Sequence, residues 1–415
     1  THPPADVKEV IDASNRYVMP GIIDPHVHLG LFAPLKTELE TETKAALFGG
    51  VTTIGCYFGG PESHFKVFPS IMEDIQSYSH TDVIPHLVIG SDEQKSEIVD
   101  YTKHFGITSF KIYMNGIPGL IPDVDDAFIM DVMDEIKRSG KECILCSHTE
   151  NRYLVGRAFD KIKQEKGDNA DIRDWTDTHP DIAEEEAVIR LAYLAENAEL
   201  PVYMVHISSK AAIDRLRQIK PYNRYVNVET TSPYLSITRD SSMGNTIKME
   251  PPFRDDKDLE ALWEGVEDGL VDTIGTDNVT LTRAEKNIDA SIWDTIPGYS
   301  ALETHLPILL HEGVVKRNIP IEKVISKVTK NPAEKFNVYP KKGTISPGSD
   351  ADIVIVDLNI SKEIKAQDLS SRSDFSIYEN RVVKGWPVTT IKAGKVVIRD
   401  GEFVANGSNG VYISR

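Results

Sequence analysis

Two histidines two residues apart, His26 and His28, close the run Met19-Pro20-Gly21-Ile22-Ile23-Asp24-Pro25-His26-Val27-His28. Residues 17–23 before them are apolar enough to be a first barrel strand. Residues i and i+2 of a strand project from one face, so both imidazoles can reach a single metal ion. Four more ligand-type residues fall in or after later strand-like runs. Lys111 lies within Ser109-Phe110-Lys111-Ile112-Tyr113-Met114, an apolar setting unusual for a lysine. His148 follows Cys143-Ile144-Leu145-Cys146-Ser147, His206 follows Pro201-Val202-Tyr203-Met204-Val205, and Asp277 follows Thr273-Ile274-Gly275-Thr276. Singly, each has an ordinary structural reading: a satisfied core histidine, a lysine snorkelling to water, an aspartate capping a helix. Jointly, on successive strands, they describe one cluster, because the strand ends of a barrel converge.

Such a cluster needs a scaffold of alternating strands and helices, and residues 20–340 supply it. Strand candidates are residues 51–54, 83–89, 109–114, 143–146, 202–207, 225–229 and 272–275. Amphipathic stretches at 126–139, 182–196, 210–220 and 257–269 lie between them, with apolar residues three and four apart. This alternation implies βαβ units and a parallel sheet. Seven or eight units over roughly 300 residues favour an α/β fold of the (β/α)8 TIM type. The composition changes near residue 341, where a turn-rich stretch precedes short strands at 351–358, 388–391 and 395–398. With a strand expected at residues 8–11, these form a small β-sandwich domain built from both chain ends. The expected division is 1–19 and 341–415 for the small domain and 20–340 for the barrel. The chain opens on Thr1 without a Met, which points to an upstream segment missing from the edge of that domain.

The 415 residues carry 64 acidic and 46 basic side chains, a formal charge of −18, which argues against nucleic acid as a partner. No apolar run approaches the ~20 residues of a membrane span, and no signal-peptide pattern opens the sequence. Three cysteines cannot build a disulfide framework, so a cytoplasmic, reducing setting is expected, with Cys143 and Cys146 as buried thiols.

The motifs extend collinearly through His148-Thr149-Glu150-Asn151, Val205-His206-Ile207-Ser208-Ser209, Glu229-Thr230-Thr231-Ser232-Pro233-Tyr234-Leu235 and Pro251-Pro252-Phe253-Arg254-Asp255. They end with Gly275-Thr276-Asp277 and Gly343-Thr344-Ile345-Ser346-Pro347-Gly348-Ser349-Asp350-Ala351-Asp352. In this the sequence resembles the amidohydrolase superfamily, within its cyclic-amidohydrolase branch, and is most similar to the hydantoinase/dihydropyrimidinase type. The resemblance implies two divalent metal ions, usually zinc, at the barrel mouth. His26, His28 and Asp277 would bind one ion and His148 and His206 the other, with Lys111 bridging both as an N-carboxylated lysine. It implies hydrolysis of a CO–NH bond in a small cyclic amide by a metal-bridging hydroxide, Asp277 taking the proton and passing it to the departing nitrogen. It also implies a homo-oligomer, tetramer or dimer.

Substrate contacts are where the sequence departs. The tyrosine that relatives carry five residues after the carboxylated lysine is replaced by Gly116, after Asn115, and Tyr113 shares the strand face of Lys111. Glu250, Asn278 and Asp294 occupy positions expected to contact substrate, and two of them add negative charge. An allantoinase or another cyclic-ureide specificity is therefore the alternative activity. A non-catalytic scaffold of the dihydropyrimidinase-like kind is the alternative class, though such relatives lack metal ligands and all six positions are filled here. His64, His80, His86, His104, His305 and His311 show no ligand context, His179 sits in a polar Asp-Thr-His-Pro loop, and Glu184-Glu185-Glu186 reads as a solvated first helical turn.

Overall fold

The computed structural model describes residues 7, 9–117 and 121–415. Its larger sheet is parallel, formed by β2 (Ile22–His28), β3 (Val51–Phe58), β4 (Asp82–Val88), β5 (Ser109–Tyr113), β6 (Ile144–His148), β7 (Val202–Met204), β8 (Val226–Thr231), β9 (Thr273–Gly275) and β10 (Asn278–Val279), preceded in the chain by β1 (Tyr17–Pro20). Neighbours pair in sequence order up to β9 on β8, and β10 returns to pair with β2. β9 and β10 are thus the two halves of one eighth strand, broken at Thr276-Asp277, and the sheet closes into the expected barrel. The strands are buried on both faces, as parallel strands under helices must be, and so read as nearly unbroken apolar runs.

Alternation sorts the side chains. Ile22, Ile54, Cys56, Val83 and Leu87 belong to the layer between sheet and helices, whereas Ile23, Tyr57, Ile84, Tyr113, Cys146 and Tyr203 pack together in a second cluster with Phe336. That second cluster fills the barrel, and the two-residue period puts Lys111 on the same strand face as Tyr113. The covering helices obey the complementary period. In Asp126–Arg138 the buried residues are Ile129, Val132, Met133 and Ile136, and the Asp125 side chain caps the first turn by accepting from Phe128 N at 2.8 Å.

The smaller sheet is antiparallel, in the order β1, β11 (Ile353–Glu363), β12 (Val382–Lys392), β13 (Lys395–Arg399) and β14 (Glu402–Phe403). Both chain ends contribute to it, as expected, although among the described residues it is one sheet and not two facing sheets. The N-terminal contribution also differs from the expected strand at 8–11. Lys8 lies outside the described residues and residues 9–11 form no strand. The stretch 17–23 supplies β1 instead, and is divided at Gly21, beyond which β2 enters the barrel. A Cβ on Gly21 would lie 2.2 Å from Thr52 Oγ1 and 2.9 Å from Asp352 Cβ, so only glycine makes this crossing. The end of the chain returns to the barrel. Val83 N donates to Val411 O and Ile413 N to Val83 O, both at 2.9 Å, and the Arg415 guanidinium reaches Pro85 O and Ser109 Oγ at 2.7 and 3.0 Å. No helix among the described residues is long and apolar enough to cross a membrane.

Candidate metal centre

His26 and His28 end β2, and Asp277 sits in the break of the eighth strand beside them. His26 Nε2, His28 Nε2 and Asp277 Oδ1 form a triangle with sides of 3.2, 3.3 and 3.3 Å. Its centre is about 1.9 Å from each donor, close to the ~2.0–2.2 Å of bonds from zinc to nitrogen or oxygen. The backbone fixes this geometry. Asp277 N donates to His26 O at 2.9 Å, while buried Asp24 accepts from His26 N, Thr276 N and Thr276 Oγ1 at 3.1, 3.0 and 2.6 Å. Asp277 has φ +56° and His206 φ +43°, left-handed conformations that cost a non-glycine residue about 1–3 kcal/mol and are typically kept at functional sites.

Three further expected ligands lie against this triangle. The His206 ring is 5.5 Å from that of His26 and 4.4 Å from that of His148, centroid to centroid. Lys111 is fully buried, with Nζ 4.6 Å above the Tyr57 ring and 4.9 Å above the Tyr113 ring. Its amine has no hydrogen-bond partner among the described residues, and neither has His206 Nδ1. Burial lowers the Lys111 pKa to about 8. Burial opposes ionisation of Asp277, but His26 and His28 outweigh it and bring its pKa to about 2. An imidazole triangle with a carboxylate, beside a partnerless amine and a free imidazole nitrogen, is a donor set suited to divalent cations.

Carboxylates behind the histidines were not singled out in the sequence. Glu229 Oε1 is 2.8 Å from His26 Nδ1, which leaves Nε2 facing Asp277. Burial raises the Glu229 pKa to about 8 and drives that of His26 well below its ordinary value. Glu150 Oε2 is 2.8 Å from His148 Nε2, which leaves Nδ1 free, and Glu150 Oε1 is 3.0 Å from His179 Nδ1. Burial works against the Glu150 anion, yet the two histidines hold its pKa well below the carboxylate range. His179 therefore belongs to the surroundings of the site, contrary to its reading as a loop histidine. Glu184 is 1% exposed and accepts from Ser208 and Ser209, contrary to its reading as a solvated turn. Two sequence signals could have found the carboxylates: Glu150 repeats the i, i+2 spacing after His148, and Glu229 is an acid inside the buried strand β8.

The expected substrate contacts are placed differently. Asp294 is exposed, its carboxylate accepting from Ser291 Oγ at 2.7 Å, and nothing brings it to the cluster. Asn278 is buried with both ends engaged, Nδ2 on Thr280 Oγ1 at 3.0 Å and Oδ1 accepting from Ala301 N at 2.9 Å. Glu250 is half-buried and makes no ion pair among the described residues. Gly116 has φ +65°, and a Cβ there would lie 2.6 Å from Asp123 N, so no tyrosine fits that backbone.

Comparison with known proteins gives the family. The model of the amidohydrolase family matches residues 163–397. The chain is 29% identical to L-hydantoinase of Paenarthrobacter aurescens over 423 residues, covering 99% of this chain and 90% of that protein. It is 30% identical to D-hydantoinase of Geobacillus stearothermophilus over 426 residues, covering 98% and 88%. A solved structure of dihydropyrimidinase from Brevibacillus agri superposes with a TM-score of 0.92 at 26% identity, covering 99% of this chain and 92% of that one. A closed barrel with this cluster at its strand ends, matched in sequence and structure along nearly its whole length, places the chain in the amidohydrolase family.

Proposed function

We propose that this protein hydrolyses the CO–NH bond of a cyclic amide or ureide of the hydantoin or dihydropyrimidine class. His26, His28 and Asp277 hold one divalent ion in this reading, His148 and His206 hold a second, and Lys111 is shared between them. The observation that carries it is the Lys111 amine, buried against Tyr57 and Tyr113, whose rings lie beside His26 and His148, with no hydrogen-bond partner among the described residues. With its pKa lowered to about 8, a substantial fraction of that amine is neutral near pH 7–8. It can add to CO2 and lose a proton, giving a carbamate whose two oxygens serve two cations. Two zinc ions, once held there, would supply Lewis acidity for the substrate carbonyl and would lower the pKa of a water molecule. That water gives one proton to solvent on activation, and Asp277, an anion at neutral pH, accepts the second as the oxygen attacks the carbonyl carbon. It then delivers that proton to the ring nitrogen as the C–N bond breaks, leaving a carboxylate and an NH2 group. Glu229 and Glu150 orient His26 and His148 through their other ring nitrogens.

The names of the relatives support the substrate class. A homo-oligomer, tetramer or dimer, belongs to the same reading. It is supported by apolar side chains left open on the helices Arg152–Lys166 and Asp181–Ala198, where Tyr153 is 75% and Tyr193 69% exposed. Three free, buried cysteines support a cytoplasmic setting. Steady-state kinetics against hydantoin, dihydrouracil, allantoin and dihydroorotate, with defined zinc loading, test the activity. Turnover of hydantoin or dihydrouracil, lost on chelation, is expected. A zinc-loaded protein that opens none of the four rings overturns the reading.

A further inference from the structure

Behind His148 and His206 runs a chain of buried polar groups that does not meet the triangle of His26, His28 and Asp277; at its near end Asn115 Nδ2 donates to Glu150 Oε2 at 3.3 Å. Glu150 Oε1, opposite the oxygen that meets His148, accepts from His179 Nδ1 at 3.0 Å and lies 4.0 Å from Arg254 Nη2. Arg254 also donates from Nε to Ser208 Oγ at 3.1 Å, and from Nη1 to His179 O and to Asp181 Oδ1. Ser208, two residues after His206, donates from N and Oγ to Glu184 Oε1 at 2.9 and 3.0 Å. Ser209 N donates to Glu184 Oε2 at 2.8 Å. Glu150, His179, Glu184, Ser208 and Arg254 are each no more than 6% exposed.

Burying charged groups costs several kcal/mol each unless partners compensate, so a network of this size away from solvent is not a default of packing. Its two ends fix two different things. One end holds the His148 ring by Nε2, leaving Nδ1 free, and the other holds the turn that follows His206, itself in a left-handed conformation. Arg254 joins the two ends through Ser208 and the carbonyl of His179. Glu229 serves both sides of the centre, since it meets His26 Nδ1 and also accepts from His206 N at 3.4 Å. His179, Glu184 and Arg254 reach only the His148–His206 side.

We propose that His179, Glu184 and Arg254 are positioning residues for the second metal position alone, setting its affinity by holding His148 and the His206 turn while leaving the first position untouched. This rests on the two-ion reading above and adds to it an asymmetry in how the ions are held. The consequence is a protein that can be emptied at one position by substitutions outside the ligand set. Loss of such an outer partner typically weakens metal binding about 10–100-fold.

The test uses the full chain, stripped of metal, reconstituted with zinc and passed through a chelator-containing column before metal analysis, with thermal unfolding measured in parallel. Wild type is expected to retain two ions. His179→Ala and Glu184→Gln are expected to retain one, with second-ion affinity lowered about 10–100-fold by chelator competition. His179→Asn, whose side-chain N–H can occupy the place of the Nδ1–H, is expected to restore two. The proposal is overturned if His179→Ala and Glu184→Gln keep both ions at wild-type affinity, if they lose both together, or if His179→Asn behaves as His179→Ala. Should His179→Ala fail to fold, the isosteric Glu184→Gln decides alone. A wild type holding fewer than two ions overturns the two-ion reading instead.

Discussion

A lysine amine in a protein interior ordinarily finds carbonyls or a carboxylate. Lys286, also fully buried, donates to the carbonyls of Lys248, Ile296 and Gly298 at 3.0, 3.0 and 2.7 Å. Lys248 finds those of Ile292 and Thr295 at 2.6 and 2.7 Å. Lys111 finds neither, which is a costly way to bury an ammonium and a reasonable way to keep an amine for carboxylation. Lys111→Ala is therefore expected to lower kcat/KM by ~10³-fold or more and to reduce zinc content, with partial recovery on adding short carboxylic acids. A Lys111→Ala protein of full activity would remove the bridging role. At this scale the ligand types and spacings were legible in the sequence, because i, i+2 spacing and position after an apolar run are local properties. Glu150 and Glu229 were less so, because an acid's meaning depends on the ring it meets, and Glu229 meets His26 from a strand 203 residues away.

Elements carry a second kind of information, namely which groups folding removes from water. His305 opens the helix His305–Leu309 fully buried, with Nδ1 2.8 Å from Ser232 Oγ, and burial pushes its pKa down to about 3. It is neutral in the fold, while in the unfolded chain it takes up a proton below about 6.5. Its contribution to stability is thus complete above pH ~6.5 and is lost as the pH falls towards 3, by an amount of the order of a few kcal/mol. Urea unfolding of wild type and His305→Gln across pH 7 to 4 should show a shallower acid decline in the variant. Equal slopes would mean that His305 is not the group responsible. The elements themselves were legible where periodicity was undisturbed, as in Asp126–Arg138. They were less so where tertiary contacts overrode it. β12 runs for 11 residues although it contains Gly385 and Pro387, both of which discourage a strand when read locally. Glu184 looks like a solvated turn until Ser208 and Ser209, from the far side of β7, arrive to hydrogen-bond it.

Across the whole molecule, the small sheet is fastened to the barrel by charge as well as by chain. Lys342 Nζ meets Asp82, Asp350 and Asp352 at 2.5, 2.9 and 2.6 Å, and Lys392 Nζ meets Asp82 at 2.6 Å. These three aspartates could have held a metal ion, but two lysines supply the positive charge. Lys342→Met would leave buried Asp352 without a cation, Asp82 keeping Lys392, and should cost about 3–5 kcal/mol in chemical unfolding, with zinc content unchanged. Light scattering should report a dimer or tetramer, and Tyr193→Lys, placing a charge on the open helix face, should shift it towards monomer. A monomeric wild type would dismiss that surface as an interface. Neither lysine contact of Asp82 was legible beforehand, since each joins residues hundreds of positions apart. The broken eighth strand has a consequence of its own. Among the strands of the described residues β9 pairs with β8 and β10 with β2, so the barrel is a hoop whose ends meet at Thr276-Asp277. An ion held between His26, His28 and Asp277 would then also be the clasp of that hoop, and amide hydrogens of β2, β9 and β10 should exchange first when it is withdrawn.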